Sequence, residues 1–435
     1  MSKTRKKVFV LGGYGFIGSA CMTALRSAGF DVTGVGRSAR AARACDSTAN
    51  WLITDIATAD VDKWQTALAD ADIVVNAAGA LQDGARDDLR AIHETAVIRI
   101  IAALDGRKTK IVQISAAGAG PEASTDFMRS KARGDAALMQ SALDWVVLRP
   151  VLVLGPQAYG GTALLRANAA LPGIGLLVSP QSPVQTVHVD DVAAAVVQAA
   201  SGAIAPRTLA DLTEDDRQSL GALTARIRRW QGFAPWRRTI ILPGWLTTLV
   251  GAGADALGWL GWQSPFRSTA LRAIADGVTG DPTPWREAGG LPMRSLTDTL
   301  AAIPGTAQER SHARLFLLLP LAIAVLSGFW IITGLIALAT HTAAQALLTD
   351  RGVSTDLAAL AVIGGALLDI ALGAAVLVRR WTRSACAGMI ALSLAYLLAG
   401  TFSAPDLWVD PLGPLVKIFP SMTLALFPLL LLEPR

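Results

Sequence analysis

The fold is decided near the start of the chain by KVFVLGGYGFIG, residues 7–18. The apolar run Lys7–Leu11 predicts a strand, and the apolar periodicity after the glycines predicts a helix that ends near Ala28. Between them, Gly12, Gly15 and Gly18 follow the pattern G-x-x-G-x-x-G. Glycine allows a tight turn and a close approach of the backbone to a pyrophosphate, and the unpaired N–H groups at a helix start attract phosphate. The stretch therefore predicts a dinucleotide-binding site.

Beyond this motif, strand-like runs alternate with helical stretches over the first 240 residues. Such alternation is typical of βαβ units, which build a parallel sheet with helices on both faces. We therefore predict an α/β Rossmann-type, doubly wound parallel sheet with a small substrate lobe over residues 1–240. Strands are expected at 31–35, 51–54, 72–76, 109–115 and 144–148, and helices at 60–69, 83–104, 124–141 and 215–231.

A change in composition near residue 314 indicates a second kind of domain. Of the 435 residues, 52% are hydrophobic and 17% are charged, whereas about a quarter are charged in soluble proteins. The apolar excess lies in four nearly uncharged runs, each close to the ~20 residues that span a bilayer as a helix. Their repetition disfavours the alternative of buried core helices in a soluble protein. We predict an all-α four-helix transmembrane bundle over 315–435, with helices at about 315–339, 357–378, 384–402 and 412–432.

Basic residues in the short loops predict the orientation of these helices. Arginine and lysine concentrate on the cytoplasmic side of membrane proteins. Both termini are therefore expected in the cytoplasm, in a multi-pass protein of the cell (inner) membrane. The residues on the expected cytoplasmic side are Arg310, Arg314, Arg379, Arg380, Arg383 and Arg435, against Arg351 and Lys417 on the other side.

The charge and the positions of cysteine and histidine give little support to nucleic-acid binding or to a metal site. The net charge is only +5, without a dense basic tract after the first residues, so a nucleic-acid partner has little support. The three cysteines and four histidines are scattered along the chain, and no metal site is predicted.

Several motifs of the first 200 residues follow the order found in a known superfamily. They are LGGYGFIG (11–18), Asp55 after the third strand, NAAG (76–79), ISAAG (114–118), SK (130–131), LRP (148–150) and VHVDDVA (187–193). On these motifs the chain resembles the extended and atypical short-chain dehydrogenase/reductases, the superfamily of NAD-dependent epimerases and dehydratases. The resemblance implies that Asp55 binds adenine and that the NAAG region lines the cofactor. It also implies that Lys131 holds the nicotinamide ribose and that Pro150 leads into the substrate lobe.

An arginine stands at the tip of the second predicted strand, in Gly36-Arg37-Ser38. An acidic residue there grips the ribose 2′-hydroxyl of NAD, whereas arginine accommodates the 2′-phosphate of NADP. Arg37 therefore favours NADP over NAD, the alternative being a solvated surface arginine. The full predicted cofactor-binding set is Gly12, Gly15, Phe16, Ile17, Gly18, Arg37, Asp55, Asn76, Ala77, Ala78, Gly79, Lys131 and Pro150.

The catalytic signature of the superfamily, Tyr-x-x-x-Lys, is altered in this chain. Phe127 replaces the tyrosine four residues before Lys131, and a phenyl ring has no hydroxyl that could donate or accept a proton. Losing a general acid typically costs about 10² to 10⁴ in rate, which disfavours ordinary carbonyl reduction or epimerisation. Hydride transfer to a quinone-like ring and plain cofactor binding remain open. The candidate catalytic residues are Lys131, Ser115 and Ser130, with Arg129, His93 and Tyr159 as further replacements for the tyrosine or as structural polar residues.

Residues 241–314 are predicted to be an interfacial or linker region. The stretch 240–262 is apolar and glycine-rich, and tryptophan prefers the membrane interface. One hypothesis places this stretch on the cytoplasmic leaflet as part of a lid for a lipophilic substrate, and the alternative makes it a hydrophobic wall of the substrate lobe. The tryptophans in and near it are Trp230, Trp236, Trp245, Trp259 and Trp262.

The C-terminal region resembles the DoxX-like family through SGFWIITGLIAL (327–338), GGALLDIALGAAVL (364–377) and WVDPLGPLVK (408–417). The broader DoxX type is associated with respiratory quinol chemistry. Asp369 shares a helix face with glycines four residues away on either side, so it is expected to face the bundle interior. An intramembrane carboxylate is a functional candidate. Lys417 is its candidate partner, Asp410 lies near the outer end of the bundle, and all three are membrane-site candidates. The alternative is a protonated Asp369 that only hydrogen-bonds a neighbouring helix.

Three functions fit these features. The first is a membrane-anchored NADP(H)-dependent oxidoreductase that acts on a quinone- or isoprenoid-like substrate. The second is a non-catalytic NADPH-binding protein that resembles the Rossmann-type accessory subunit of respiratory complex I and has a respiratory-chain partner. The third, a tethered nucleotide-sugar epimerase, is disfavoured most strongly by Phe127.

Overall fold

A computed structural model describes residues 5–81, 83–84, 88–262 and 267–432. These residues form two compact units, one within 1–255 and 264–313 and the other within 256–263 and 314–435. Part of the helix predicted at 83–104 lies outside the described residues, as does Arg435, on which the predicted orientation partly depends.

Strands and short helices alternate along the first part of the chain. Strands β1–β13 are Lys7–Leu11, Asp31–Gly36, Asn50–Ile53, Ile73–Asn76, Lys110–Ile114, Asp144–Pro150, Leu152–Leu154, Ile174–Leu177, Pro183–Val184, Thr186–His188, Thr208–Leu212, Gln218–Ser219 and Arg238–Ile241. Helices α1–α12 are Phe16–Ser27, Ala39–Cys45, Val61–Ala67, Ala96–Ala103, Asp126–Met139, Gly160–Ala169, Val189–Ser201, Leu220–Trp230, Gly244–Trp259, Ser268–Asp276, Thr283–Glu287 and Leu296–Ala302. A π-helical turn, Ala91–Thr95, leads into α4.

Seven strands form one sheet in the order β11-β6-β5-β4-β1-β2-β3, and each neighbouring pair is parallel. The carboxyl ends of all seven strands therefore meet at one edge, where α/β proteins bind their ligands. Strand order changes direction at β1, between β2 and β4. The predicted doubly wound parallel sheet is confirmed.

The central strand β1 shows why both faces of the sheet are covered. Its side chains alternate between two buried clusters, with Val8 and Val10 in one and Phe9 and Leu11 in the other. The first cluster includes residues of α1 and α7, and the second includes Trp64 of α3, which is fully buried. A strand buried on both faces reads as a continuous apolar run, as KVFVL does.

A small lobe follows the sheet in the same unit. The lobe contains three two-stranded sheets, β7–β10, β8–β13 and β9–β12. Its separate apolar cluster includes Leu154 of β7, Val184 of β9, Ala169 of α6 and Leu223 of α8. A buried ion pair joins α6 to the chain beyond α12, with 3.0 Å between Arg166 Nη1 and Glu309 Oε2. The basic helix predicted at 215–231 begins later, because the Ser219 side chain accepts the Ala222 N–H and caps α8.

The second unit consists of apolar helices. Helices α13–α17 are Ala307–Ala339, His341–Thr349, Thr355–Ala375, Thr382–Ser403 and Ile418–Leu431. Among the described residues, α13, α15 and α16 are long and apolar enough to cross a membrane. The helix α13 begins before the predicted residue 315, because helix formation continues through charged residues that the hydropathy pattern excludes.

The fourth predicted span, 412–432, has to be corrected. The helix there, α17, has 14 residues, fewer than the ~20 that cross a bilayer. The Asp410 side chain accepts the Leu412 N–H at 2.7 Å, and Gly413 has a φ of +55°. Both features form a turn that delays the helix, and Pro414 lies in the same stretch.

We expect Gly134→Ala to destabilise the first unit. Gly134 lies on α5 against the π-helical turn, and a Cβ there would lie 1.9 Å from the His93 carbonyl oxygen. Overpacking of this kind costs about 1–3 kcal/mol. Gly161→Ala is the matched control in α6, because its Cβ would meet no atom within 4 Å. Thermal unfolding of the detergent-purified protein should show a lowered Tm for the first variant alone, and equal Tm values would contradict this packing argument.

Candidate functional site

The turn between β1 and α1 forms the phosphate end of the site. Gly12 has a φ of +69°, and its carbonyl oxygen accepts the Gly15 N–H at 2.8 Å. A Cβ on Gly18 would lie 2.1 Å from the Gly12 oxygen. Only glycine fits this contact between turn and helix. The first N–H groups of α1, from Phe16 onward, have no partner within the helix, and its first turn carries no acidic residue. A cradle of this chemistry fits a pyrophosphate.

The loop after β4 closes one side of this cradle. A Cβ on Gly12 would lie 2.9 Å from the Ala78 Cα and 3.0 Å from the Ala77 oxygen. Asn76 holds the loop, because its Nδ2 donates to Gln113 Oε1 at 2.9 Å and its Oδ1 accepts the Ala78 N–H at 3.2 Å. The structure thus brings the glycine motif and the predicted residues 76–78 together.

Arg37 and Asp55 lie at the ends of neighbouring strands, which fits an adenosine subsite. Arg37 is exposed directly after β2, and Asp55 is half-buried just beyond β3. The Asp55 carboxylate accepts the Ala57 N–H at 3.0 Å, which shapes its own loop. The hydroxyl of Tyr14, which the sequence analysis did not select, accepts the Arg37 N–H at 3.2 Å. Its ring covers Gly36, where a Cβ would lie 2.2 Å from the ring.

Lys131 lies at the opposite end of the cradle. Its side chain is 6% exposed, and Nζ donates to the Ile114 carbonyl oxygen at 2.9 Å. A Cβ on Gly79 would lie 3.6 Å from Nζ, so the lysine adjoins the end of the NAAG segment. Burial lowers the pKa of Lys131 to about 8, although the Asp135 carboxylate opposes the shift. This position suits the predicted role beside the nicotinamide ribose.

The side chains of His93 and Ser130, next to Phe127, form a hydrogen-bond chain whose two ends are backbone groups of the protein. The Ala80 N–H donates to His93 Nε2 at 3.2 Å, so the neutral ring carries its proton on Nδ1. Nδ1 lies 2.8 Å from Ser130 Oγ, and that hydroxyl donates to the Phe127 carbonyl oxygen at 2.9 Å. Burial, and then the charge of Lys131, lower the pKa of His93 to about 2. Neither His93 nor Ser130 has a proton directed to a reacting group in this arrangement.

Ser115 is engaged in a second buried network. Its hydroxyl donates to Asp135 Oδ2 at 2.6 Å, and the same oxygen accepts Arg149 Nη2 at 3.0 Å. Ser115 is 4% exposed and Asp135 is fully buried. Asp135 and Arg149 were missed as a pair, although Asp135 lies one helical turn after Lys131 and Arg149 belongs to the LRP motif.

The remaining sequence candidates lie around these networks. Phe16 is half-buried and stacks on the exposed Tyr159 ring with centroids 6.0 Å apart. Arg129 donates to the Ala123 oxygen at 2.6 Å and pairs with Asp126. Pro150 ends β6, and its carbonyl oxygen accepts the Ala117 N–H at 3.1 Å.

The Asp369 side chain has a hydrogen-bond partner that the sequence analysis did not name. Its Oδ1 accepts the hydroxyl of Tyr396, on α16, at 3.1 Å. A Cβ on Gly334 of α13 would lie 3.2 Å from the Asp369 Cβ, so this residue lies between helices, as predicted. Lys417 is exposed before α17, and Asp410 caps its own turn. The sequence pattern could not select Tyr396, because the pairing depends on how α15 and α16 pack.

These features define a Rossmann-type domain with a glycine turn suited to a pyrophosphate and a buried lysine at the end of the NAAG segment. Comparison with family models agrees. Residues 12–203 match an NAD(P)H-binding family, and residues 327–426 match the DoxX-like family. No curated protein matches the chain.

Solved structures share the fold of the first part of the chain. WbmH of Bordetella bronchiseptica, in complex with NAD+, is 20% identical with a TM-score of 0.53 over 68% of this chain and 97% of that one. A putative epimerase from Burkholderia cenocepacia is 21% identical with a TM-score of 0.53 over 72% and 99%. WbmG of Bordetella bronchiseptica, in complex with NAD, is 17% identical with a TM-score of 0.52 over 72% and 96%. The chain thus carries an NAD(P)-binding Rossmann domain with epimerase structural neighbours, followed by a DoxX-like domain at 327–426.

We expect dinucleotide affinity to fall as the pH rises through about 8. The Lys131 ammonium attracts a polyanionic ligand, and it loses its charge near that pH because burial lowers its pKa. Equilibrium titration of NADPH from about pH 6.5 to about pH 9.5 measures the effect. Lys131→Met should bind more weakly and show no such decline. A wild-type profile that stays flat, or a variant with the same decline, would show that another group titrates.

Proposed function

We propose that the protein is a membrane-anchored, NAD(P)(H)-dependent oxidoreductase that transfers hydride to a lipophilic, quinone- or isoprenoid-like substrate. One observation carries the proposal. The glycine cradle and Lys131 have the positions that dinucleotide chemistry requires, whereas the hydroxyls of Ser115 and Ser130 donate to groups inside the protein. These features favour cofactor binding, and they leave neither serine hydroxyl available to protonate a substrate.

The absence of the tyrosine hydroxyl limits which hydride acceptors the protein could reduce. A bound reduced nicotinamide would supply a hydride, and a quinone that took up this hydride together with a proton from water would become a hydroquinone. Water can protonate such a ring oxygen, since a reduced quinone is a far weaker base than the alkoxide formed from an ordinary ketone. The half-buried Phe127 ring, 5.5 Å from the His93 ring between centroids, would offer an apolar wall to this acceptor.

Arg37 supports NADP as the preferred cofactor. It is exposed at the tip of β2, where the 2′ position of the adenosine ribose lies in dinucleotide-binding folds. The Tyr14 hydroxyl accepts the Arg37 backbone N–H, and this hydrogen bond fixes the direction of the chain at the end of β2. The segment Gly36-Arg37-Ser38 contains no carboxylate that would repel a phosphate.

The location proposed for the protein is the cell (inner) membrane, with the dinucleotide domain and both termini in the cytoplasm. Three apolar helices and the match to the DoxX-like family support membrane association. The orientation rests on the loop arginines and the tendency of basic residues to stay in the cytoplasm. In this arrangement the reduced cofactor comes from the cytoplasm and the acceptor from the lipid.

A non-catalytic role is the second candidate, and the closed His93–Ser130 chain favours it specifically. Here the dinucleotide would stabilise the fold of an accessory protein, as in the Rossmann-type subunit of respiratory complex I, and the partner would belong to the respiratory chain. A tethered nucleotide-sugar epimerase is the weakest reading, because epimerisation needs the acid and base that Phe127 cannot provide.

Turnover in detergent separates the two main candidates. We expect the purified protein to oxidise NADPH with at least one quinone of a panel that varies in ring and tail. Phe127→Tyr should leave this rate within about tenfold, short of the 10² to 10⁴ that a needed acid contributes. Lys131→Met is the control for a disabled site. Dinucleotide binding without turnover by any acceptor would favour the accessory protein.

Cofactor preference provides an independent test. Arg37→Ala should weaken NADPH binding by about tenfold to a hundredfold, the worth of ~1.5–3 kcal/mol for a hydrogen bond to a charged group. NADH binding should stay unchanged. Arg43→Ala is the matched control, since Arg43 is an exposed arginine in the last turn of α2. Equal losses for both dinucleotides would place Arg37 away from the 2′-phosphate.

A further inference from the structure

The helix α9 has its apolar side chains distributed in the opposite way to a soluble amphipathic helix. Its buried positions in the first unit are the small residues Gly251 and Ala254. Its large apolar residues point outward, with Trp245 70% exposed and Leu249 64% exposed. A helix on a water-soluble surface buries its large apolar side chains and exposes polar ones. The outer side of α9 is therefore built for an apolar surrounding.

The strand that precedes α9 in the sequence carries further exposed apolar residues. All four residues of β13 are exposed, among them Ile240 and Ile241, although the strand pairs with β8. The sequence turns directly from β13 into α9 through Leu242 and Pro243. We name the set Ile240, Ile241, Trp245, Leu249 and Val250 the apolar face.

Not every tryptophan of this region belongs to such a surface. Trp230 donates to the Ile303 oxygen at 2.8 Å, and Trp236 donates to the Leu171 oxygen at 3.0 Å, so both fasten the small lobe. In the second unit, Trp262 donates to the Leu377 oxygen at 2.6 Å. Trp245 and Trp259 are the exposed members of the predicted cluster. The structure thus separates structural tryptophans from those that a membrane interface would suit.

Charge beside the apolar face indicates its occupant. Arg237 and Arg238 are exposed just before the two isoleucines, with Thr239 between them. Basic residues next to an apolar, tryptophan-bearing surface are typical of segments that lie in the interface of an anionic membrane. Among its described residues, the same chain has three helices long and apolar enough to span a bilayer, which supports a membrane as the occupant.

The inner side of α9 is connected to the edge of the sheet that holds the cofactor cradle. Asp255 accepts the Arg267 Nε at 3.3 Å and the Ser268 N–H at 3.2 Å, which fastens the start of α10. Arg267 in turn donates to the Asp83 oxygen, in the loop after β4, at 2.7 Å.

The other end of α10 has a matching contact. Asp276 accepts the hydroxyl of Ser124, which lies in the loop between β5 and α5. The α9–α10 pair therefore bridges two loops that follow the carboxyl ends of central strands, next to the segment that carries Gly79 and Lys131.

We propose that the apolar face is a membrane-contacting surface, whose occupant is the interfacial lipid of the bilayer in which the same chain is anchored. Arg237 and Arg238 bind the anionic headgroups, and Trp245 and Leu249 enter the boundary of the acyl chains. The α9–α10 pair then joins the lipid surface to the cofactor-binding edge of the sheet. If the proposed oxidoreductase function holds, a lipophilic acceptor reaches the cofactor along this pair, and that last step alone depends on it.

Spin labels on the full-length protein in nanodiscs test the surface without requiring turnover. The background is Cys45→Ser, because Cys45 is exposed whereas Cys21 and Cys386 are buried. Labels are attached to Trp245→Cys and Leu249→Cys, and Gln140→Cys provides an exposed control at the end of α5. The nanodiscs contain phosphatidylcholine with phosphatidylglycerol, and NADPH binding is measured on each labelled protein to confirm the folded state.

Labels at 245 and 249 should collide more often with oxygen, which dissolves in lipid, than with a water-soluble nickel chelate. The label at 140 should show the reverse. Replacing both Arg237 and Arg238 by glutamate should lower the oxygen preference at 245 in nanodiscs that contain phosphatidylglycerol.

Two results would overturn the proposal. Access of nickel to 245 and 249 equal to that at 140 would show a face open to water. Immobile labels shielded from both reagents would show a protein partner or a second copy on the face. Neither result bears on whether the protein turns over NADPH, so the two proposals fail separately.

Discussion

Backbone contact within the first turn is the constraint on which the site depends. The carbonyl oxygen of Gly12 lies where a side chain on Gly18 would have to be, and Gly12 itself touches the loop that follows β4. No other residue type fits at either position, because a Cβ would overlap backbone atoms that cannot move aside. This close approach places the start of α1 at the carboxyl edge of the sheet. Its free N–H groups, rather than any side chain, then form the phosphate cradle.

Burial determines the chemistry at the other end of the cradle. The polar side chains of His93, Ser130 and Ser115 are buried. A buried polar group without a hydrogen-bond partner lowers the stability of the fold by about 1–3 kcal/mol. Each has therefore found a partner inside the protein, and its proton is held there. Lys131 also has an internal partner, the Ile114 carbonyl oxygen, but burial lowers its pKa to about 8, so its charge changes with pH in the range where binding can be measured. The same packing that stabilises this region keeps the protons of Ser115, Ser130 and His93 within the protein.

The helices of the second unit expose large apolar side chains, whereas the sheet domain buries them. Large apolar side chains such as Leu321 and Ile332 of α13 and Leu367 of α15 are more than half exposed. Small residues lie at the helix contacts, as Gly373 does against α13. In lipid, exposure of leucine and isoleucine costs nothing, and close helix packing supplies the stability. The large apolar residues of α9 are exposed in the same way, although this helix starts in the sheet domain.

Local patterns in the sequence determined the strand–glycine–helix motif, the parallel α/β domain, the apolar C-terminal helices and the loss of the catalytic tyrosine. Each depends on spacing or residue type within one segment, which the chain carries by itself. Tertiary structure decided the direction of the Ser115 and Ser130 protons, the pairing of Asp369 with Tyr396 and the shortness of the last helix. It also decided which tryptophans are structural. These features depend on contacts between residues far apart in the chain, or on a turn that competes with a helix, and apolar periodicity contains no information about either.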